Sequence, residues 1–276
     1  MILLALAAGV LGLLIGSFLN VVIYRVPNGR SIVSPPSACP HCGHEIAWYD
    51  NVPVVSWLIL RAKCRNCGAP ISARYPLVEL GTGVAFGLVA WHFGGPILDS
   101  VTTPAIISAT LVLVAYLYFA AVSVALSLID LDTHRLPDAI VLPSYIVAIV
   151  LLALASLAAG EFWPLLRAGA GMAALVVAYF LMAFIYPPAM GMGDVKLAGV
   201  LGLYLAWIGW GALLVGALAA FILGGVFGVI LIIAKRANRK SGIPFGPWML
   251  LGAWVGVAFG TVAFNGYLTF VGFPVA

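Results

Sequence analysis

Charge is what this 276-residue chain lacks most: 8% of its residues are Asp, Glu, Lys or Arg. Soluble domains carry roughly 25%. A soluble globular fold is therefore excluded, and the 64% hydrophobic content points the same way, as does the mean hydropathy of +1.15. Cysteine is scarce too. There are four, all within one short polar stretch, so no disulfide framework runs through the chain. No basic segment precedes the apolar N-terminus "MILLALAAGVLGLLIGSFLNVVIYRVP", and that run exceeds a signal-peptide h-region of about 7–15 residues, so it reads as a retained first helix. A glycine-rich fingerprint of the Rossmann type and internal repeats are also missing.

What is present is a series of apolar runs, each near the ~20 residues that cross a bilayer core. Breaks at charged, Pro-rich and Gly-rich stretches predict eight spans, at 2–24, 77–95, 103–129, 138–159, 163–186, 194–207, 209–234 and 246–270. The sixth is short and the break "AWIGWG" is weakly marked, so seven is the alternative count. The expected fold class is an all-α polytopic membrane protein. Its divisions are a first helix (1–24), an insert (25–76) and a membrane-embedded core (77–276). With eight spans and the N-terminus outside, twelve of the thirteen Lys and Arg fall on the cytoplasmic side, Arg239 and Lys240 among them; Arg167 is the exception. The net charge of +4 then reports orientation, and nothing suggests nucleic acid.

The insert holds Cys39-x2-Cys42 and, after 21 residues, Cys64-x2-Cys67. Two such knuckles can set four thiolates around one Zn²⁺, a closed structural site. Disulfides, redox dithiols or plain thiols are the alternatives, and a cytosolic placement disfavours the first. His41 and His44 are spare ligands. A bound metal would let about 50 residues fold without a large core.

Nine acids remain to be explained. Asp130, Asp132 and Asp138 cluster in "IDLDTHRLPDAIVLP", and Asp194 stands in "GMGDVK", both groups at helix ends on the expected cytoplasmic side. The plainer readings are a helix-starting Asp138 after Pro137, a solvated Asp132, a first-turn Asp194 favoured by the helix dipole and an interfacial Lys196. Acids at membrane depth are nonetheless functional candidates. Two neighbouring carboxylates share a proton, so that one activates water while the other polarises a peptide carbonyl. Asp130 and Asp194 fit such a pair, and Gly191 and Gly193 would leave room for a substrate backbone. A proton- or ion-coupled transporter using Asp130 and Asp194 as relay carboxylates is the competing class.

Six stretches in this order, "GSFLNVVIYRVP", the paired CxxC knuckles, "RYPLVELGTG", "IDLDTHRLPD", "GMGDVK" and "IPFGP", resemble the bacterial prepilin peptidases, the type IV leader peptidase/N-methyltransferase family. The GxGD motif is similar to that of presenilin-like intramembrane aspartic proteases. The resemblance implies that Asp130 and Asp194 are catalytic. It implies prepilin or pseudopilin substrates of type IV pili or type II secretion, cut at the cytoplasmic face of the inner membrane. S-adenosylmethionine would then methylate the new N-terminus. The cysteine-bearing loop is associated with that second activity, and Glu79 is a candidate for handling the amine or the donor; a first-turn acid is its plainer reading. Asn20 is expected to hydrogen-bond another helix.

Overall fold

The computed structural model describes residues 1–186, 190–236 and 242–273. Arg239 and Lys240, which entered the charge argument, lie outside them. Among the described residues every long element is a helix, and β-structure is limited to two isolated bridges. Eight helices exceed fifteen residues: α1 (Ile2–Arg25), α3 (Arg74–Phe93), α5 (Thr103–Thr133), α6 (Asp138–Ala159), α7 (Trp163–Ile185), α8 (Met192–Ile208), α9 (Trp210–Ile233) and α10 (Gly246–Phe270). Two short helices, α2 (Val55–Ile59) and α4 (Gly95–Asp99), sit in the connections. Seven of the eight are long and apolar enough to span a bilayer. The exception is α8, the segment expected to be short. The third expected span runs four residues further, so Asp130 and Asp132 fall in the last turn of α5.

The chain divides into two compact units, Met1–Ala125 and Leu126–Ala276. In the first, α1 packs on α3. The contact is close because Gly12 and Gly16 of α1 meet Thr82, Gly83 and Glu79 of α3, where an added Cβ would come within 2.9 Å of backbone. Without a hydrophobic force between helices in lipid, such small-residue seams supply the packing.

In the second unit α8 packs against α6, α7, α9 and α10. Every residue from Leu197 to Ala206 is buried. A helix covered by protein on all sides need not match the bilayer thickness, which accounts for its 17 residues. Its C-terminus is satisfied by Arg167 of α7, which donates to the carbonyls of Ala206 (2.6 Å), Trp207 (2.6 Å) and Ile208 (2.9 Å). Those are three of the four carbonyls that a helix end leaves unpaired, and a cation there also opposes the dipole. The one basic residue on the other side of the predicted topology therefore has a structural task. A single fully extended residue, Gly209, separates α8 from α9. Helices α9 and α10 pack through a second seam, in which Gly252, Gly256 and Gly260 lie against Ala212, Gly216 and Ala220.

Candidate functional site

The first unit carries the insert. Its knuckles are copies of one turn. Gly43 donates to the Cys39 carbonyl and Gly68 to that of Cys64, both at 2.9 Å, and each glycine has φ near +70°, a conformation that suits a residue without Cβ. The bridges Ala38–Glu45 and Lys63–Pro70 close the two turns. All four Sγ atoms lie within 4.8 Å of one another, and Cys39 and Cys67 are 3.8 Å apart. Sulfurs at ~2.3 Å from a tetrahedral ion would be separated by about 3.8 Å, so the thiols fit a metal ion.

Their electrostatics also suit one. The backbone N–H groups of Cys67 and Asn66 lower the Cys64 thiol to about 7. The His44 N–H lowers Cys42. Cys67 ends at about 11: the Ala69 N–H lowers it, but desolvation and the neighbouring thiols raise it more. Four thiolates do not coexist here without a cation between them. Arg65 fastens the second knuckle to Asp50 at 2.6–3.1 Å, which holds that carboxyl below its ordinary value.

Between the insert and the ends of α1 and α3 lies a cavity of about 780 Å³, whose lining includes Ser17, Asn20, Tyr24, Trp57, Tyr75 and Glu79. That volume is in the range of small-molecule sites, about 300–1,000 Å³. Asn20 donates to the Tyr75 carbonyl at 3.2 Å, the interhelical bond the sequence suggested. Glu79 is 8% exposed and accepts from Ser17 and, at 2.7 Å, from the Val54 backbone N–H. It lies one full turn into α3, so the Arg74–Tyr75–Pro76 turn, not Glu79, begins the helix.

The second unit holds the two acids. Asp130, 5% exposed near the end of α5, accepts the Gly246 N–H at 3.0 Å from the first residue of α10. Asp194, half-buried, occupies the first turn of α8 and accepts the Gly191 N–H at 3.1 Å. The helix-capping reading of Asp194 is thus correct as far as it goes: one oxygen caps the helix. The two carboxylates are near enough for their charges to interact.

Leu136 lies between the first turns of α8 and α10. A Cβ on Gly193 would come 3.2 Å from it, and one on Gly246 would meet its Cδ2, also at 3.2 Å. So the bare face of Gly193, expected to admit substrate, is occupied by Leu136. Sequence reading passed over Leu136; a large apolar residue inside an otherwise polar "THRLPD" loop was the available signal.

Lys196 has a partner as well. Its Nζ contacts both oxygens of Asp138 at 2.8 Å, and its carbonyl accepts the Tyr145 hydroxyl at 2.5 Å. The expected interfacial lysine therefore ties α8 to α6. Asp138 does begin α6, as expected, but caps nothing with its side chain. Asp132 is exposed.

These features define a multi-pass membrane protein with two carboxylates at helix ends and, separately, four thiols able to hold a metal ion. Residues 10–93 match the bacterial peptidase A24 N-terminal domain, and residues 116–229 match the type IV leader peptidase family. Among curated proteins, the prepilin leader peptidase/N-methyltransferase of Stutzerimonas stutzeri is 37% identical over 96% of this chain and 94% of its own length. That of Pseudomonas aeruginosa is 37% identical (95% and 93%), and that of Neisseria gonorrhoeae 36% (90% and 88%). No solved structure shows a significant match. The chain belongs to the type IV leader peptidase family.

Proposed function

We propose that the protein is an aspartic endopeptidase of the bacterial inner membrane that removes the leader of a prepilin or pseudopilin and then N-methylates the exposed residue. The observation that carries the peptidase half is the pair Asp130 and Asp194, each with one oxygen held by a backbone N–H and the two near enough for their charges to interact. Drawn together on a scissile bond, such a pair would hold one proton between two carboxyl groups. The ionised member takes a proton from water while the protonated one donates to the scissile carbonyl. The hydroxyl adds to the carbonyl carbon, and the proton returns to the leaving nitrogen as the peptide bond breaks. Substrate reaches the pair from the cytoplasmic side, where the basic residues gather, with the N-terminus of the enzyme outside.

The thiols of Cys39, Cys42, Cys64 and Cys67 hold a structural Zn²⁺, which leaves no open position for chemistry. S-adenosylmethionine fits the cavity beside them, whose aromatic lining and Glu79 suit a sulfonium cation. When bound it supplies an electrophilic methyl group. Glu79 takes a proton from the new N-terminal ammonium, freeing the nitrogen lone pair for that methyl.

Asp130→Asn and Asp194→Asn each test the peptidase half: the expected result is loss of leader cleavage, by at least about 10³-fold, in a folded protein. Full cleavage by either variant sinks the assignment. Glu79→Gln tests the other half, with loss of methylation and retained cleavage expected.

A further inference from the structure

Val54 has an unusual backbone for a β-branched residue, with φ +62° and ψ −48°. Its successor donates back across it, from the Val55 N–H to the Pro53 carbonyl at 2.6 Å. That is a γ-turn of the rarer, strained hand. A β-branched side chain at positive φ is a true outlier, and such strain survives only where the surroundings impose it. Three features impose it here. Pro53 has a fixed φ before the turn. Ser56, the second residue of α2, accepts the Val52 N–H through its hydroxyl at 3.1 Å, while donating to the Tyr49 carbonyl at 3.0 Å. The third is the Val54 N–H itself, which the turn directs away from the loop to Glu79 Oε2 at 2.7 Å.

Among the described residues, the Val54 amide is the insert's hydrogen bond to that carboxylate. The rest of its support is Ser17, from α1. The insert therefore reaches the cavity acid through one backbone amide, in a conformation that proline cannot adopt and glycine adopts freely.

We propose that Val54 is a positioning residue for methyl transfer: its γ-turn is the strut by which the metal-knuckle insert holds Glu79 in place. The proposal rests on the reading of Glu79 given above. It explains why a cysteine-bearing segment should matter to a reaction in which its metal takes no part. Folding of the knuckles fixes the 49–57 segment, the segment fixes the Val54 amide, and the amide fixes one carboxylate oxygen. Glu79 itself lines the cavity.

The test uses the full-length protein in detergent with a pre-cleaved pilin peptide and S-adenosylmethionine. V54G keeps the N–H and the turn; V54P removes both. V54G is expected to methylate within about 3-fold of the unaltered protein. V54P is expected to lose at least 10-fold in kcat for methylation, with KM for the peptide, leader cleavage and metal content all unchanged. On an E79Q background V54P should add less than 2-fold, since coupled residues are non-additive. If E79Q methylates normally, the reading of Glu79 itself fails. If E79Q is impaired while V54P is normal, or if V54P multiplies fully onto E79Q, only the role of Val54 is refuted. Should V54P lose its metal, amide exchange decides. Protection of the Val54 N–H that disappears in E79A supports the strut, and an unprotected N–H in the unaltered protein overturns it.

Discussion

Replacing Gly246 by alanine is the sharpest single probe of the acid pair, because it adds one methyl group beside Asp130 and removes nothing. The ideal Cβ would stand 2.7 Å from Asp130 Oδ2 and 3.2 Å from Leu136 Cδ2. An ordinary contact needs about 3.5 Å, so the carboxylate must retreat by roughly 0.8 Å. It has little room to do so, being 5% exposed and anchored to a packed helix. Its bond from the Gly246 N–H, now 3.0 Å, would stretch or break. A hydrogen bond to a charged group contributes about 1.5–3 kcal/mol, and a misplacement near 1 Å costs on the order of 10²-fold in rate. Both routes predict a fall in cleavage of about 10- to 100-fold. Folding should suffer less. Overpacking costs about 1–3 kcal/mol, partly offset by about 0.4–1 kcal/mol from restricting the unfolded chain at the former glycine. The assay is kcat/KM for leader removal by the purified variant, with thermal unfolding and methylation of a pre-cleaved peptide as controls. Cleavage within 3-fold of the unaltered protein would mean that the Gly246–Asp130 contact does not set the position of that acid.

Further expectations follow from other contacts. Lys196→Met removes the bridge to Asp138 but should cost less than about 1 kcal/mol of stability, because the pair is exposed; a cleavage loss of only a few-fold is expected, and loss of folding would contradict this. Arg167→Met strips three carbonyls at the end of α8 of their donor and should lower stability by about 1.5–3 kcal/mol, seen as a fall in Tm. Metal affinity should weaken as pH falls, since only thiolates bind: Cys67, at about 11, already carries a proton at neutral pH that the metal must displace, whereas Cys64, at about 7, keeps its thiolate until lower pH. Uptake of Zn²⁺ at pH 8 should therefore release at least one proton, measurable with an indicator dye, and none released would argue against thiolate ligation. Cys39→Ser should impair methylation more than cleavage. Equal loss of both would mean that the insert also supports the peptidase half.

Helix limits were legible because lipid imposes them. The fourth and eighth expected spans agree with α6 and α10 to the residue, and the others differ at their ends by four residues at most. Only residue-level chemistry can bend that rule, as when α8 gives up its lipid face. The knuckles were legible because their pattern is local and repeated. Asp130 and Asp194 stood out because carboxylates are rare at that depth.

What escaped was every contact made by a residue whose type has an ordinary use elsewhere. Arg167 looked like a stray charge, Leu136 like a loop hydrophobe and Lys196 like an interfacial anchor. Their tasks depend on neighbours 39, 57 and 58 positions away. Val54 is a still harder case. A valine before a valine suggests extended chain, and its γ-turn depends on the Ser56 bonds to Val52 and Tyr49 and on its own bond to Glu79, which no local pattern announces. The glycines show the same limit. Their absence of a Cβ was read as room for substrate at Gly193, where it is room for Leu136.

The account's central claim is that Asp130 and Asp194 together cut the leader while Glu79 serves the later methylation. Its most direct test is the mass of a prepilin's N-terminus after incubation with the purified enzyme, with and without S-adenosylmethionine, for the unaltered protein and for D130N, D194N and E79Q. The account predicts a product lacking its leader in every unaltered sample and heavier by one methyl group only with the donor. It predicts uncut substrate from both Asp variants, and a cut but unmethylated product from E79Q. A folded D130N or D194N that yields the cut product at the normal rate would contradict it.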